Sequence, residues 1–241
     1  GISTAVCEMF WENGVSRQKC ITIFNGVDLK RYPLDLNRES IRKELHLDPQ
    51  TNLVGLVGRM DPRKGHIYFL EAARLILAKF SAVKFLIIGD IDSQKLQGYK
   101  NKLQKLTKDL GLNEKVIFLG FRSDIPEIMA ALDVLVLPSC SEKSPEPFGR
   151  VLLEAMAAQK AVVATKDGGV MDIVVDGVTG ILVPPRNSKS IAEAVCHLLY
   201  NPSKAKEMGM AGRKRVEELF TAREYVQKME GVFEELLYLR L

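Results

Sequence analysis

Leu53-Val54-Gly55-Leu56-Val57-Gly58-Arg59-Met60-Asp61-Pro62-Arg63-Lys64-Gly65 is the stretch that decides the fold. An unbroken apolar run meets a glycine, a cationic loop follows, and an amphipathic helical pattern occupies 65–79. A run without polar alternation is what a strand buried on both faces looks like, as in a parallel sheet. The pattern recurs. Further runs lie at 84–88, 116–119, 134–137, 161–164 and 180–183, and helical patterns at 93–110, 123–131, 149–158 and 188–200 separate them. Strands spaced by helices of this length predict βαβ units and an α/β, doubly wound parallel sheet.

Local signals punctuate this frame. Ser123 before Asp124, Pro126 and Glu127 reads as a helix start, and Gly111 as a helix stop. Asn201-Pro202 divides the last sheet-covering helix from a more polar tail. In that tail Val226, Met229, Phe233, Leu236 and Leu237 share one helical face. They dock either on this domain's own sheet or on a partner domain. Near the start, 21–24 reads as a strand, Asn25-Gly26 as a tight turn, and 40–45 as helical. The expected division is a linker or helical segment over 1–20, the main domain over 21–220, and a C-terminal helix over 221–241.

The 241 residues suffice for one large domain with a full core. A hydrophobic fraction of 46% and a charged fraction of 27% are ordinary for a soluble globular chain. The formal charge of +4 suits an anionic small ligand or membrane surface. No like-charge block or aromatic-basic stripe speaks for nucleic acid. Cys7, Cys20, Cys140 and Cys196 form no C-x-x-C pair and suit no zinc site, so reduced thiols are expected. The start at Gly1 lacks a signal-peptide pattern and suggests a piece of a longer chain. No apolar run approaches the roughly 20 residues of a membrane span. A cytoplasmic location, or the cytoplasmic face of a membrane, is the expectation.

In a doubly wound sheet the ligand lies beyond the carboxyl ends of the strands, so the loops after the strands carry the chemistry. In the first, Gly58 lets backbone approach a ligand. Arg59 and Lys64 add positive charge at a helix entrance, making an anion site for a diphosphate. The loop after 134–137 reads Pro138-Ser139-Cys140-Ser141-Glu142-Lys143-Ser144-Pro145-Glu146-Pro147-Phe148-Gly149-Arg150 and leads into the helix bearing Glu154. A carboxylate accepts from two adjacent sugar hydroxyls at once, and the amides of Phe148 and Gly149 would face a phosphate or sugar. Glu146 is expected to face the open cleft. Gly168-Gly169 would offer two unobstructed amides to an anion, unless the pair merely turns the chain. The backbone of Gly120-Phe121-Arg122 would read a nucleobase edge, or form an ordinary loop.

Taken in order, Asn25-Gly26-Val27-Asp28, Gly58-Arg59 with Lys64-Gly65, Pro138-Ser139, Glu146-Pro147-Phe148-Gly149, Glu154-Ala155-Met156-Ala157, Gly168-Gly169 and Asp176-Gly177 with Thr179-Gly180 resemble the retaining GT-B glycosyltransferases with the E-x7-E motif, often called glycosyltransferase family 4. The resemblance spans roughly 15–220. It implies the C-terminal, Rossmann-like half of a GT-B fold. This half would bind a UDP-, GDP- or ADP-sugar, while an N-terminal half would hold an acceptor sugar or lipid and associate peripherally with a membrane.

By the same resemblance Arg59 and Lys64 contact the diphosphate and Glu154 holds the ribose hydroxyls. Glu146 and the Phe148–Gly149 backbone face the donor sugar, Arg150 borders it, and Glu146, Arg59 and Lys64 form the catalytic set. No metal or other cofactor is implied. Departures are Asp172, where the family usually has glutamate, and Gln159 with Lys160-Ala161, where it commonly has glycine then proline. Alternatives are a GT-B nucleotide-sugar epimerase or a non-catalytic nucleotide-binding domain. A dinucleotide-dependent oxidoreductase would need G-x-G-x-x-G after the first strand, and Gly55 and Gly58 do not make it.

Overall fold

A computed structural model of the chain describes residues 1–141 and 144–238. Glu142 and Lys143 of the long loop, and the last three positions of the C-terminal helical reading, lie outside the described residues. Six parallel strands form one sheet: β1 (Asn52–Val57), β2 (Val83–Ile88), β3 (Val116–Gly120), β4 (Val134–Leu137), β5 (Ala161–Thr165) and β6 (Ile181–Val183), in the order β3-β2-β1-β4-β5-β6. The helices are α1 (Thr4–Glu12), α2 (Glu39–Glu44), α3 (His66–Leu77), α4 (Gln97–Asp109), α5 (Ile125–Ala131), α6 (Arg150–Ala157), α7 (Val170–Ile173), α8 (Ser188–Tyr200), α9 (Pro202–Leu219) and α10 (Ala222–Tyr238).

The apolar runs are explained by burial on both faces. Val54 and Leu56 of β1, Phe85 and Ile87 of β2, and Val134 and Val136 of β4 enter a core covered by α3, α4 and α8. Their neighbours Leu53, Leu86, Ile88, Leu135 and Leu137 enter a second core, shared with α5, α6 and α9. With both faces apolar, no alternation is left to read. Strand order reverses at the β1–β4 junction, so the loops after β1 and β4 mark the place at the carboxyl edge where a ligand crevice is expected.

Several local expectations are corrected. Residues 21–24 join no sheet. Ile23 N donates to Gly1 O at 2.8 Å, and the Gly1 amine donates to Ile21 O at 2.7 Å, so this segment pairs with the chain start. Asn25-Gly26 makes no tight turn. A Cβ on Gly26 would stand 2.3 Å from Thr221 O, so this glycine serves a close chain crossing, where Val27 bridges Thr221.

Residues 1–20, expected as a linker or helical segment, contain the helix α1. Cys7 is fully buried, and Thr4 donates to Asp172 from both N and Oγ1 at 2.8 Å. The shorter carboxylate at 172 thus ties down the first turn of α1. Ser123 does not cap α5. The residue at the cap is Asp124, and its carboxylate is taken by Arg122 instead of the helix amides. Gln159 adopts φ 56°, the left-handed conformation a glycine would favour, and closes the turn after α6.

The apolar stripe of α10 does not dock on the domain's own sheet. The helix has no buried residue, and Val226, Phe233, Leu236 and Leu237 are all exposed. None of the helices is long and apolar enough to cross a membrane among the described residues.

Candidate functional site

The loops after β1 and β4 are locked together before any ligand enters. Asp61 accepts from Arg63 N at 2.9 Å, capping the 3-10 turn Pro62–Lys64. That turn ends at Gly65, with φ 70°, where a Cβ would lie 1.8 Å from Pro138 O. Only glycine permits this crossing. Cys140 N donates to Arg63 O at 2.9 Å and closes the junction.

Glu146 sits under this junction. Its side chain is 6% exposed, so the expectation that it faces the open cleft is corrected: it lies buried at the floor. Lys64 Nζ and Ser139 Oγ each donate to its Oε2 at 2.6 Å. A buried carboxylate is tolerable only with such partners. Two adjoining recesses, of about 160 and 290 Å³, share Lys64, Glu146 and Pro147 in their walls. Arg59 lines the smaller, and Gly58, Phe148 and Gly149 line the larger.

Every cation of the first loop already has a carboxylate. Lys64 has Glu146, Arg63 has Asp61 at 2.6 Å, and the half-exposed Arg59 has Asp92. The Arg63 hydrogen bond holds the Asp61 carboxyl down to about 2. The loop therefore presents positive charge that an incoming anion must share with protein carboxylates.

The start of α6 is set by aromatic packing. Phe148 is buried and stacks on Phe24 at 6.0 Å between centroids, and Phe220 meets it at 6.1 Å. The backbone then turns through Gly149 at φ 87° into the helix. The amides of Phe148 and Gly149 donate to no acceptor among the described residues. Both residues line the larger recess at the N-terminus of α6, where free amides and the helix dipole favour an anion.

Gly168 and Gly169 serve mainly to let another stretch of backbone approach. Gly169 N donates to Glu146 O at 2.8 Å. A Cβ on Gly168 would fall 2.3 Å from Glu146 O, and one on Gly169 would fall 2.4 Å from Pro147 O. The pair seats the Glu146-Pro147 backbone and leaves one free amide instead of the two expected, since Gly168 N donates to no acceptor among the described residues. Asp167 joins in, accepting from Glu146 N at 3.2 Å, and burial pushes its carboxyl up.

Glu154 lines neither recess. It lies farther along α6, with Arg150 Nε 3.5 Å from its Oε1 and its side chain 18% exposed. Burial raises its carboxyl above the ordinary range, against the pull of Arg150 and Arg31. Such a half-matched carboxylate is a functional-site signal. The third loop divides. Gly120 has φ 65° and Phe121 is 82% exposed, whereas Arg122 holds Glu44 with two bonds at 2.6 and 2.9 Å and also holds Asp124. Its guanidinium pins α2 to α5.

Sequence reasoning gave no role to Ser139, Asp61, Asp92 or Asp167. Ser139 had a signal, a hydroxyl two positions after the fully buried strand β4. The aspartates had none, because their partners are set by the fold.

Comparison with known proteins gives the family and the fold. Residues 37–215 match the family model for glycosyl transferases group 1. An uncharacterized glycosyltransferase of Methanocaldococcus jannaschii is 34% identical over 199 residues, covering 80% of this chain and 47% of its own. The chain spans about half the length of the curated relatives it matches. The crystal structure of Anabaena HepE in complex with UDP-glucose has a TM-score of 0.90 at 30% identity, over 98% of this chain and 63% of that one. The C-terminal domain of a group 1 family protein from Francisella tularensis, 31% identical, has a TM-score of 0.72 and is covered over 99% of its length, against 81% of this chain. Its two-loop cleft, its Rossmann-like sheet and these matches together place the chain in the group 1 glycosyltransferase family, with the fold of GT-B enzymes.

Proposed function

We propose that this chain binds a nucleoside-diphosphate sugar in the crevice between the β1 and β4 loops and supports configuration-retaining transfer of the sugar. The observation that carries this is the fixed pair of Phe148 and Gly149 amides beside Lys64, over the buried Glu146. The diphosphate would meet the amides, Lys64 and Arg59, with Gly58 leaving room for it. Arg59 would exchange Asp92 for phosphate, and the two cations would stabilise charge on the departing diphosphate. This needs no metal and no other cofactor. Glu146 would face the donor sugar from the floor, with Arg150 at the rim. Glu154, half-matched on its helix, would accept from the ribose hydroxyls. The Gly120-Phe121 backbone would border the base.

The acceptor, a sugar or lipid, would be held by protein outside this chain. The exposed apolar face of α10 suits docking of that part, through which a cytoplasmic, peripheral membrane association would come. Sugar transfer by this chain alone should then be slight. Calorimetric titration with UDP, GDP, ADP and their sugars tests the reading: at least one pair should bind saturably, and absence of binding to all of them at millimolar concentration refutes it.

A further inference from the structure

A second group of cations lies at the opposite end of the sheet. Asn52, Val134 and Ala161 open β1, β4 and β5, and all three line a cavity of about 390 Å³. A smaller recess of about 200 Å³ adjoins it, and Arg38, Gln159 and Lys160 line both. Lys206 of α9 lines the larger. In the donor crevice every cation is matched by a carboxylate. Here two of the three, Lys160 and Lys206, are not, while Arg38 is shared between Glu39 at 3.7 Å and Asp133 at 3.5 Å. Neither Lys160 nor Lys206 has a carboxylate within 4.0 Å among the described residues. Lys160 Nζ donates only to Ala130 O, at 2.6 Å. Asp133, the one carboxylate in the lining of the larger cavity, already accepts from Leu53 N at 2.7 Å, and it serves Arg38 at 3.5 Å and Arg42 at 3.7 Å.

We propose that this amino-edge cavity is a second anion site, which takes the phosphate group of a small phosphorylated molecule or of a lipid headgroup, with Lys160 at its base and Arg38 and Lys206 at its mouth. A guanidinium and two ammonium groups around one recess supply the charge-assisted donors a phosphate needs. The larger cavity has the size of a small-molecule site. Burial, and then the charge of Arg38, push the Lys160 ammonium down to about 8, and a bound anion would relieve that. The strands run from this cavity to the donor crevice, so both sites can be filled together.

Inorganic phosphate titrated at constant ionic strength into the chain in excess UDP, which keeps the donor crevice filled, and followed by calorimetry, is the test. Saturable binding is expected, weakened about tenfold or more in an Arg38→Gln/Lys206→Gln variant. Both side chains are exposed, so this variant should fold where Lys160→Met would lose the bond to Ala130. Lys189→Gln, on an exposed part of α8 outside both sites, should leave the affinity within about twofold. Co-sedimentation with phosphatidylcholine vesicles, with and without phosphatidic acid, separates the sources. Phosphatidic-acid-dependent binding lost in the double variant assigns a lipid headgroup, and saturable binding of free phosphate alone assigns a soluble ligand. The proposal is overturned if neither source binds, or if the binding found survives the double variant.

Discussion

Lys64 Nζ and Glu146 Oε2 lie 2.6 Å apart, joining a cation from the loop after β1 to a carboxylate from the loop after β4. The pair does two things at once. It makes a buried carboxylate tolerable, and it sets one positive charge beside the amides that open α6. Removing one partner leaves the other uncompensated in a place water reaches poorly. Lys64→Met should lower unfolding stability by about 2 kcal/mol or more, whereas Glu146→Gln, which can still accept from Ser139, should cost less. Urea unfolding of both variants checks the order, and equal losses would show that the carboxylate is not the costly member.

Glu154→Gln should separate stability from function. Burial holds this carboxyl above its ordinary range, so the native chain binds the proton more tightly than the unfolded chain. Stability from this group is therefore missing above the folded value and returns as pH falls through it toward the unfolded value. At neutral pH the neutral amide should stabilise the unliganded chain by about 1 kcal/mol, a rise in melting midpoint of about 2–4 °C, and the difference from wild type should shrink in acid. The same variant should bind nucleotide more weakly. Thermal melts at neutral and acidic pH are the check.

His66, the first residue of α3, is fully buried, and neither ring nitrogen has a hydrogen-bond partner among the described residues. Burial depresses its imidazole to about 4. The unfolded chain takes up the proton first, so stability should fall as pH drops from the ordinary histidine range toward about 4 and level off below it. His66→Phe should flatten this part of the pH profile. A profile unchanged by the substitution would remove His66 as its source.

Gly168→Ala and Gly177→Ala distinguish strain from collision. Both glycines have positive φ, 52° and 74°. Nothing lies within 4 Å of a Cβ on Gly177, whereas one on Gly168 meets Glu146 O at 2.3 Å. Gly177→Ala should cost about 1 kcal/mol. Gly168→Ala should cost more and also weaken nucleotide binding, because it displaces the backbone that carries Glu146. Equal effects on stability and binding would separate Gly168 from the site.

The sheet was legible because β1 to β6 are short apolar runs buried on both faces, and that leaves a continuous trace in the sequence. The segment 21–24 carries a similar trace and is no strand, because Gly1 occupies its hydrogen bonds. The placement of Glu146 was not legible. Its burial depends on Lys64, 82 positions away, and on a glycine pair that looks like a phosphate loop but seats the Glu146 backbone. Arg122 reads as a ligand contact by its position after β3, and only the fold brings Glu44 to it. Motif order pointed to the candidate site, while charge pairing inside it required the three-dimensional crossing of two loops.

The location of the donor crevice is tested most directly by following the backbone amide resonances of the labelled chain while UDP is added. The amides of Phe148 and Gly149 should shift saturably, together with those of Gly58 and Arg59, and Glu154→Ala should weaken the midpoint while Glu193→Ala, on an exposed face of α8, leaves it unchanged. Saturable shifts elsewhere, with Phe148 and Gly149 unmoved, would contradict the assignment.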